Sequence, residues 1–251
     1  MPSANTVPLK ANERIDELIR EQLQIIQSRD YFTFSVDAVL LADFITVAKT
    51  KPQRIIDFCT GNGVIPLLLS HKTDNKIEGL EIQADLVDMA QRSLTLNQLN
   101  DQITIRQMDI KELQKPAHLY DVVSCNPPYF LVEDTKEAHH LSSHAIARHE
   151  IHLSLEDWIA KAALIMRDRG KLFFVHRPNR LDDIMQTLNK YHFSIHRMRF
   201  VHPKADKNAN GVLVEAIYRG GNHGVKILPP VVVHDADNQY TAEMKAIYFG
   251  E

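Results

Sequence analysis

Short apolar runs alternate with amphipathic segments along most of the chain from residue 54 onward. The runs have the length of β-strands, and the segments between them carry apolar residues at helical spacing. This alternation predicts βαβ units and a parallel sheet. The runs assigned to parallel strands are residues 54–59, 76–82, 103–109, 120–126 and 170–176.

Helices are predicted between and after these strands, with Ser154 as one N-cap and Trp158 in the core. Two longer β-like runs follow, and the polar stretch between them has the composition of a hairpin connection. The predicted helices cover residues 64–71, 84–96, 155–166 and 181–191, and the two late strands cover residues 193–202 and 211–219.

The start of the chain has a different pattern. Apolar residues that include Ile15, Ile19 and Ile25 give residues 13–26 a partial helical period, and residues 37–44 have the composition of a short buried helix. We therefore expect residues 1–45 to form an N-terminal helical extension.

The remaining residues, 46–251, are expected to form one α/β domain. Counting the runs gives a Rossmann-like, doubly wound and mostly parallel seven-stranded sheet with helices on both faces. The composition agrees, because a chain of 251 residues with 44% hydrophobic and 24% charged residues is typical of a globular protein.

The spacing of the cysteines and the lengths of the apolar runs indicate the cellular compartment. Cys59 and Cys125 are the two cysteines, and each lies inside an apolar run without a Cys-x-x-Cys spacing. This pattern indicates neither a disulfide framework nor a zinc site, and it suits a reducing compartment. No run has the length of a membrane span. We expect a cytoplasmic protein with no membrane partner, and a monomer is favoured.

Positive charge is concentrated in residues 167–226. This segment carries twelve Lys or Arg against five Asp or Glu, although the whole chain has a net charge of −3. A basic region on an acidic body can attract a polyanion such as RNA. An ordinary solvated surface is the alternative. The candidates for phosphate contacts are Arg197, Arg199, Lys204 and Lys207.

A glycine-containing turn follows the first predicted strand. Gly61 and Gly63 stand between that strand and a helix, where the backbone can turn tightly and approach a ligand. The turn is not a dinucleotide fingerprint, because Pro66 occupies the place of the third glycine. Taken alone, it could be only a structural turn.

Acidic residues lie at or near the ends of the first three predicted strands. They are Asp57, Glu81 and Asp109. Because ligands of such sheets bind at the carboxyl ends of the strands, these acids are expected to converge on one edge. Glu81 can accept hydrogen bonds from ribose hydroxyls, and Asp109 can accept one from an adenine amino group. Three acids in register with the turn favour a nucleoside ligand over simple helix caps.

The tetrapeptide Asn126-Pro127-Pro128-Tyr129 follows the fourth predicted strand. Two prolines fix φ and remove two backbone donors, which leaves a rigid set of acceptors. The Asn126 side-chain oxygen and the Pro127 carbonyl can hold a target amino group, and Tyr129 can stack on a planar base. The alternative is an ordinary turn after a strand.

These elements together resemble a known family. Asp57-x-x-x-Gly61-x-Gly63, Glu81, Asp109 and Asn126-Pro-Pro-Tyr129 look like motifs I to IV of class I amino-methyltransferases. The N-terminal blocks Glu13 to Gln27 and Phe32 to Ala42 resemble, with Ala147-Arg-His-Glu150 and His202-Pro-Lys-Ala205, the tRNA1(Val) adenine N6-methyltransferase family. The resemblance covers nearly the whole chain.

The resemblance implies a class I methyltransferase fold, S-adenosylmethionine as the cofactor and adenine in a tRNA anticodon loop as the substrate. It also implies a role for each matching residue. Asn126, Pro127 and Tyr129 would be catalytic. The cofactor would be held by Asp57, Gly61 and Gly63 at its methionine moiety, by Glu81 at its ribose, by Asp109 and Ile110 at its adenine, and closed over by Phe34 and Asp37.

Two other functions remain open at this point. The same tetrapeptide can hold a side-chain amide, so a protein glutamine N5-methyltransferase is one rival, and a non-catalytic RNA-binding module is the other. No metal is expected, because the His-rich residues 139–152 lack a His-Glu-x-x-His spacing. Residues 133–152 are instead expected to form a loop beside the active site.

Overall fold

A sheet of nine strands is the centre of the computed structural model, which describes residues 7–31, 33–128, 153–221 and 224–251. A separate two-stranded hairpin precedes it. The hairpin strands are β1 (Glu13–Leu18) and β2 (Leu23–Ser28). The sheet strands are β3 (Ile55–Phe58), β4 (Ile77–Glu81), β5 (Ile103–Gln107), β6 (Tyr120–Cys125), β7 (Met166–His176), β8 (Phe193–Lys204), β9 (Gly211–Tyr218), β10 (Lys226–Ile227) and β11 (Val231–His234).

Helices cover both faces of the sheet. Within the described ranges, the helices are α1 (Val36–Phe44), α2 (Val64–Ser70), α3 (Ala84–Leu96), α4 (Leu155–Ile165), α5 (Leu181–Lys190) and α6 (Ala242–Phe249). One core cluster joins α1, α2, α3 and α6 to one face, and a second cluster joins α4 and α5 to the other. None of these helices has the length and hydropathy needed to cross a bilayer.

The strand order confirms the doubly wound prediction. It reads β5-β4-β3-β6-β7-β9-β8, in which β9 is antiparallel to both of its neighbours and the other pairs are parallel. These seven strands are the predicted seven. The short β10 and β11, which were not predicted, both pair with β8. The order reverses between β3 and β6, and that switch point is where such sheets bind ligands.

The second core is built on aromatic and aliphatic side chains. Trp158, on α4, is 1% exposed and meets Phe174 of β7 edge to face, with ring centroids 5.1 Å apart. Its helix begins at the predicted N-cap, since Ser154 and Asp157 form a reciprocal capping box. The predicted positions of Ser154 and Trp158 are therefore confirmed.

The prediction of a helix at residues 13–26 is wrong, because this segment forms the β1–β2 hairpin. Gln22, with φ of 55°, ends the turn between the strands. Side chains of α3 then satisfy the outer edge of β2: the Gln24 N–H donates to Asn97 Oδ1 at 2.8 Å and the Ile26 N–H to Ser93 Oγ at 2.9 Å. Among the described residues of the extension, 7–31 and 33–45, the helical part is α1. The local spacing of apolar residues could not indicate hydrogen bonds to residues that lie 67 and 73 positions later in the chain.

An ion pair also fastens the hairpin to α3. The Arg92 guanidinium donates to both carboxylate oxygens of Glu13, at 2.8 and 2.6 Å, and to Asp88 at 2.6 Å. The Glu13 side chain is only 4% exposed. Hydrogen bonding to Arg92 lowers the pKa of Glu13, although burial acts against it. The hairpin is thus held to the C-terminal half of α3 by an ion pair as well as by hydrogen bonds.

Candidate active site

The glycine turn lies at the switch point, directly after β3. Gly61 and Gly63 have φ of 58° and 86°, in the left-handed region that favours glycine. A Cβ on Gly61 would face open space, whereas one on Gly63 would lie 3.2 Å from Ala90 Cβ of α3. Gly61 therefore leaves the backbone open to a ligand, and Gly63 permits close packing beneath it.

Glu81 fixes the shape of this turn. One carboxylate oxygen accepts the Gly61 N–H at 2.9 Å, and the other accepts the N–H groups of Ile82 and Gln83 at 3.0 Å each. The side chain is 7% exposed at the end of β4. The sequence predicted a ribose contact for Glu81, and the structure adds a second role, because its carboxylate joins the glycine turn, at Gly61, to the segment that follows β4, at Ile82 and Gln83.

Asp57 lies beneath the turn rather than on its surface. The side chain is fully buried, and Oδ1 accepts a hydrogen bond from Ser124 Oγ at 2.6 Å. Burial raises the pKa of Asp57 to about 7, while the Ser124 hydrogen bond and the nearby Thr60 hydroxyl act the other way and the charge of Glu81 adds to the rise. Asp57 thus links β3 to β6, and the structure does not bring it to the exposed edge.

Asp109 and Ile110 follow β5 at the same edge. Asp109 is half-buried and caps a short 3-10 turn by accepting the Lys111 N–H at 2.8 Å. Ile110 is buried beneath it. A hydrogen bond of 2.9 Å from the Met108 N–H to the Glu81 carbonyl joins this segment to the end of β4. The structure therefore brings Glu81 and Asp109 together, as predicted from their positions after neighbouring strands.

Ile82 is a residue that the sequence analysis missed. It follows Glu81 directly and is 45% exposed, so its side chain offers apolar surface beside the Glu81 carboxylate. A flat purine needs apolar surface beside its polar contacts. The available signal was an aliphatic residue placed immediately after a strand-end acid.

The Asn126 loop lies beside the glycine turn. In the parallel pairing of β3 with β6, Phe58 stands opposite Cys125, so the residues that follow each strand begin side by side. Pro127 is buried, and Asn126 and Pro128 are half-buried. Tyr129 lies outside the described residues, as do residues 133–152 with their histidines.

His176 is a second residue that was not predicted. It is the last residue of β7, which pairs with β6, the strand that precedes the Asn126 loop. Its Nδ1 accepts the Arg177 N–H at 2.8 Å. Burial lowers the pKa of His176 to about 4, and the charge of Arg180 acts in the same direction. The imidazole is therefore neutral near pH 7.

The segment before α1 reaches the same edge through the hairpin. The Phe34 N–H donates to Gln27 Oε1 at 3.0 Å, and Asp37 lies in the first turn of α1. Burial raises the pKa of Asp37, while the charge of Arg177 lowers it. Asp37 thus lies near Arg177, which follows β7, and the closure of Phe34 and Asp37 over the cofactor stays a prediction.

A comparison with known families decides the class of protein. Residues 35–200, which include the glycine turn and the Asn126 loop, match the model of the methyltransferase small domain. The chain belongs to the methyltransferase small domain family. The predicted class of enzyme is confirmed, and with it S-adenosylmethionine as the methyl donor.

Named relatives of this methyltransferase span nearly its whole length. A tRNA1(Val) (adenine(37)-N6)-methyltransferase of Tolumonas auensis is 25% identical over 90% of this chain and 92% of its own. A protein of the same name from Porphyromonas gingivalis strain W83 is 25% identical over 89% of each chain. A solved structure described as a predicted O-methyltransferase from Agrobacterium tumefaciens has a TM-score of 0.67 and 23% identity, over 86% of this chain and 96% of that one. This last likeness confirms the fold.

The residues at the switch point fit S-adenosylmethionine. The methyltransferase offers open backbone at Gly61, two carboxylates at Glu81 and Asp109, and an exposed aliphatic surface at Ile82. Carboxylates accept hydrogen bonds from hydroxyl and amino groups, and a nucleoside carries both. Among the described residues, no group of three or more His, Cys, Asp or Glu could hold a metal ion.

The four basic residues of the methyltransferase that were predicted to contact phosphate divide into two pairs. The Arg197 guanidinium is paired with buried Glu215 and lies 4.5 Å over the Phe44 ring. Arg199 donates to the Pro229 carbonyl at 2.8 Å and pairs with Glu243. Both arginines are bound inside the chain, a role that the sequence analysis did not foresee.

Lys204 and Lys207 lie instead at the carboxyl edge of the sheet, where β8 ends. Lys204 donates to the Ala236 carbonyl at 3.3 Å, and the Lys207 side chain is 62% exposed. The loop that carries Lys207 is tied to the end of β7, because Arg177 donates to the Asn210 carbonyl at 2.8 Å. Of the predicted phosphate contacts, these two lysines lie on the side of the molecule that carries the site.

Proposed function

We propose that this protein transfers a methyl group from S-adenosylmethionine to the N6 amino nitrogen of an adenine in a tRNA anticodon loop. The observation that carries the proposal is the Asn126 loop beside the glycine turn, on neighbouring parallel strands. The names of the relatives support the choice of substrate, since they align with about nine-tenths of the chain. We place the enzyme in the cytoplasm as a monomer.

The strand ends hold the methyl donor. Glu81 accepts hydrogen bonds from the ribose hydroxyls, and Asp109 accepts one from the adenine amino group, while Ile82 and Ile110 supply apolar surface. The Gly61 to Gly63 turn approaches the methionine end, with Asp57 supporting it from beneath. Bound S-adenosylmethionine supplies an electrophilic methyl group on a positively charged sulfur.

The Asn126 loop holds the target. The Asn126 side-chain oxygen and the Pro127 carbonyl accept the two hydrogens of the exocyclic amino group, which aims the lone pair of its nitrogen at the methyl carbon. Because both prolines restrict the backbone, this geometry is set before the substrate arrives. Catalysis then comes from positioning and from acceptors that stabilise the positive charge developing on the nitrogen. S-adenosylhomocysteine is the leaving group, and the methylated nitrogen loses one proton to give the neutral product.

The base and the backbone of the RNA have separate contacts. Tyr129 stacks on the unpaired adenine, as aromatic side chains do in RNA recognition. Lys204 and Lys207 contact phosphates from the loop between β8 and β9. His176, neutral and next to the Asn126 loop, adds no charge near the target amino group.

Product analysis tests the proposal. The protein is incubated with methyl-labelled S-adenosylmethionine and, in parallel, with total tRNA or with a release-factor peptide that contains glutamine. The products are digested to nucleosides or amino acids and separated. We expect label in N6-methyladenosine alone. Label in methylglutamine would assign the enzyme to the protein-modifying class, and the absence of label from both would favour a binding module.

A further inference from the structure

The two cysteines of the chain lie at the ends of neighbouring strands. In the β3–β6 pairing Phe58 stands opposite Cys125, and Cys59 follows Phe58 directly. Neighbouring strands are about 4.8 Å apart and a strand rises about 3.3 Å per residue, so this register predicts a diagonal separation of roughly 6 Å between the two cysteine Cα atoms. A disulfide spans roughly 4.4–6.8 Å between Cα atoms. Cys59 begins the glycine turn, and Cys125 immediately precedes Asn126.

The backbone turns the Cys59 side chain towards its neighbour. In a continuing strand the residue after Phe58 would point to the opposite face of the sheet. Cys59 instead has φ of 52°, and it packs against the same core cluster that contains Phe58 and Cys125. Burial raises the pKa of Cys125, and the adjacent Cys59 thiol raises it further.

Exposure gives the two thiols different roles. Cys59 is partly exposed, whereas Cys125 is fully buried. A small oxidant therefore meets Cys59 first, and Cys125 is protected from bulk solvent. A reachable thiol next to a second thiol is the arrangement that converts an oxidised cysteine into a disulfide.

We propose that Cys59 and Cys125 form a reversible modification site for a small hydroperoxide. The Cys59 sulfur attacks one peroxide oxygen, the O–O bond breaks, and one water leaves while Cys59 becomes a sulfenic acid. The Cys125 sulfur then attacks the Cys59 sulfur and expels a second water. Two thiols and one hydrogen peroxide thus give one disulfide and two waters, and a dithiol reductant reverses the change.

The disulfide would act on both halves of the active site. It would join the first residue of the glycine turn to the residue before Asn126, and so displace the cofactor turn and the target loop towards each other. A displacement of about 1 Å can cost roughly 10²-fold in rate. We expect oxidation to lower methyl transfer at least about tenfold, and reduction to restore it.

Intact mass under denaturing conditions tests the chemical part. The reduced protein is treated with hydrogen peroxide, quenched and alkylated with iodoacetamide. Because the chain has two cysteines in all, reduced protein should gain two adducts, whereas oxidised monomer should gain none and be lighter by two hydrogens. Two free thiols after treatment, a cross-linked dimer, or irreversible sulfinic acid without a disulfide would each refute the proposal.

Serine variants test the coupling. In Cys125→Ser the Cys59 sulfenic acid should accumulate and be trapped by dimedone, and in Cys59→Ser the buried thiol should stay alkylatable. Each variant's own rate before oxidation is its reference. A wild-type disulfide that leaves methyl transfer unchanged would overturn the inference. The activity measurement rests on the proposed function, but the mass measurement does not, so an inactive reduced protein would count against the function alone.

Discussion

The side chain of Asn62, in the glycine turn, donates a hydrogen bond of 3.0 Å to the backbone carbonyl of Ile26 in the hairpin. Both groups are buried. The contact joins the cofactor turn to a strand that lies 36 residues earlier in the chain. Because the next residue, Gln27, holds the Phe34 N–H, the hairpin connects the turn to the segment that borders the site.

We expect Asn62→Ala to weaken both stability and cofactor binding. It leaves the Ile26 carbonyl buried without its donor, which costs about 1–3 kcal/mol. Asn97→Ala is the matched control, because Asn97 bonds the hairpin at Gln24 and does not touch the turn. Urea unfolding and titration with S-adenosylhomocysteine should show a loss of stability in both variants, but weaker binding only in Asn62→Ala. If the two variants bound S-adenosylhomocysteine equally well, the proposed link between the hairpin and the cofactor turn would be contradicted.

The raised pKa of Asp57 predicts a particular dependence of stability on pH. An unfolded aspartate titrates near 3.9, and the folded group near 7, so the folded state holds the extra proton between these values. Stability contributed by protonated Asp57 is present at low pH and is lost as pH rises from about 4 to about 7.

Asp57→Asn removes this titration and keeps an oxygen that accepts from Ser124. We expect the unfolding free energy of the variant, relative to wild type, to rise from pH 4 to 7 and then level off. Urea titrations at several pH values measure it. Asp101→Asn, at an exposed aspartate, corrects for the loss of a carboxylate. A difference that is flat with pH would show that Asp57 titrates alike in both states.

Removal of the Lys207 side chain should weaken RNA binding without unfolding the protein. Each lost phosphate contact lowers the slope of binding against salt by about one. The matched control is Lys49→Ala, because Lys49 is also 62% exposed and pairs with an aspartate, but lies in the α1–β3 connection at the opposite edge. Filter binding of tRNA over a range of salt gives the slopes. If the salt slope of tRNA binding were the same for both variants, Lys207 would contribute to solubility and not to RNA binding.

Arg197 should behave in the opposite way. It pairs with Glu215 and lies over the Phe44 ring. Its removal takes one cation away from the Glu215 carboxylate, which is 1% exposed. Breaking a buried ion pair from one side costs about 3–5 kcal/mol. We expect Arg197→Ala to lower the urea midpoint markedly while the salt slope of RNA binding stays at the wild-type value. If the salt slope of RNA binding fell while the variant stayed as stable as wild type, Arg197 would be a phosphate contact.

The parallel part of the fold could be predicted because its strands are buried apolar runs bounded by polar residues. The bounds of α3 agree with the prediction at both ends, and β3 to β6 lie within the predicted runs. The hairpin could not be predicted in this way. Its edge is satisfied by Ser93 and Asn97, which lie 67 and 73 residues later, and a local period does not contain that information.

The site was predictable for a similar reason and to a similar extent. Glu81 and Asp109 could be placed together because the carboxyl ends of neighbouring parallel strands share one edge. Charge alone could not indicate the ion pairs of Arg197 and Arg199, since a sequence shows a cation but not that Glu215 or Glu243 lies beside it. The burial of Asp57 and the exposure of Ile82 likewise depend on packing from distant elements.

Transfer by Asn126→Ala is the most direct measurement of the central claim. Single-turnover methylation of tRNA is followed with wild type, Asn126→Ala and Asn189→Ala, an exposed asparagine on α5. We expect the rate for Asn126→Ala to fall by about 10²-fold or more, with binding of S-adenosylhomocysteine unchanged, because an acceptor that acts in the transition state is lost. Asn189→Ala should match wild type. Wild-type transfer by Asn126→Ala would contradict the role proposed for the loop.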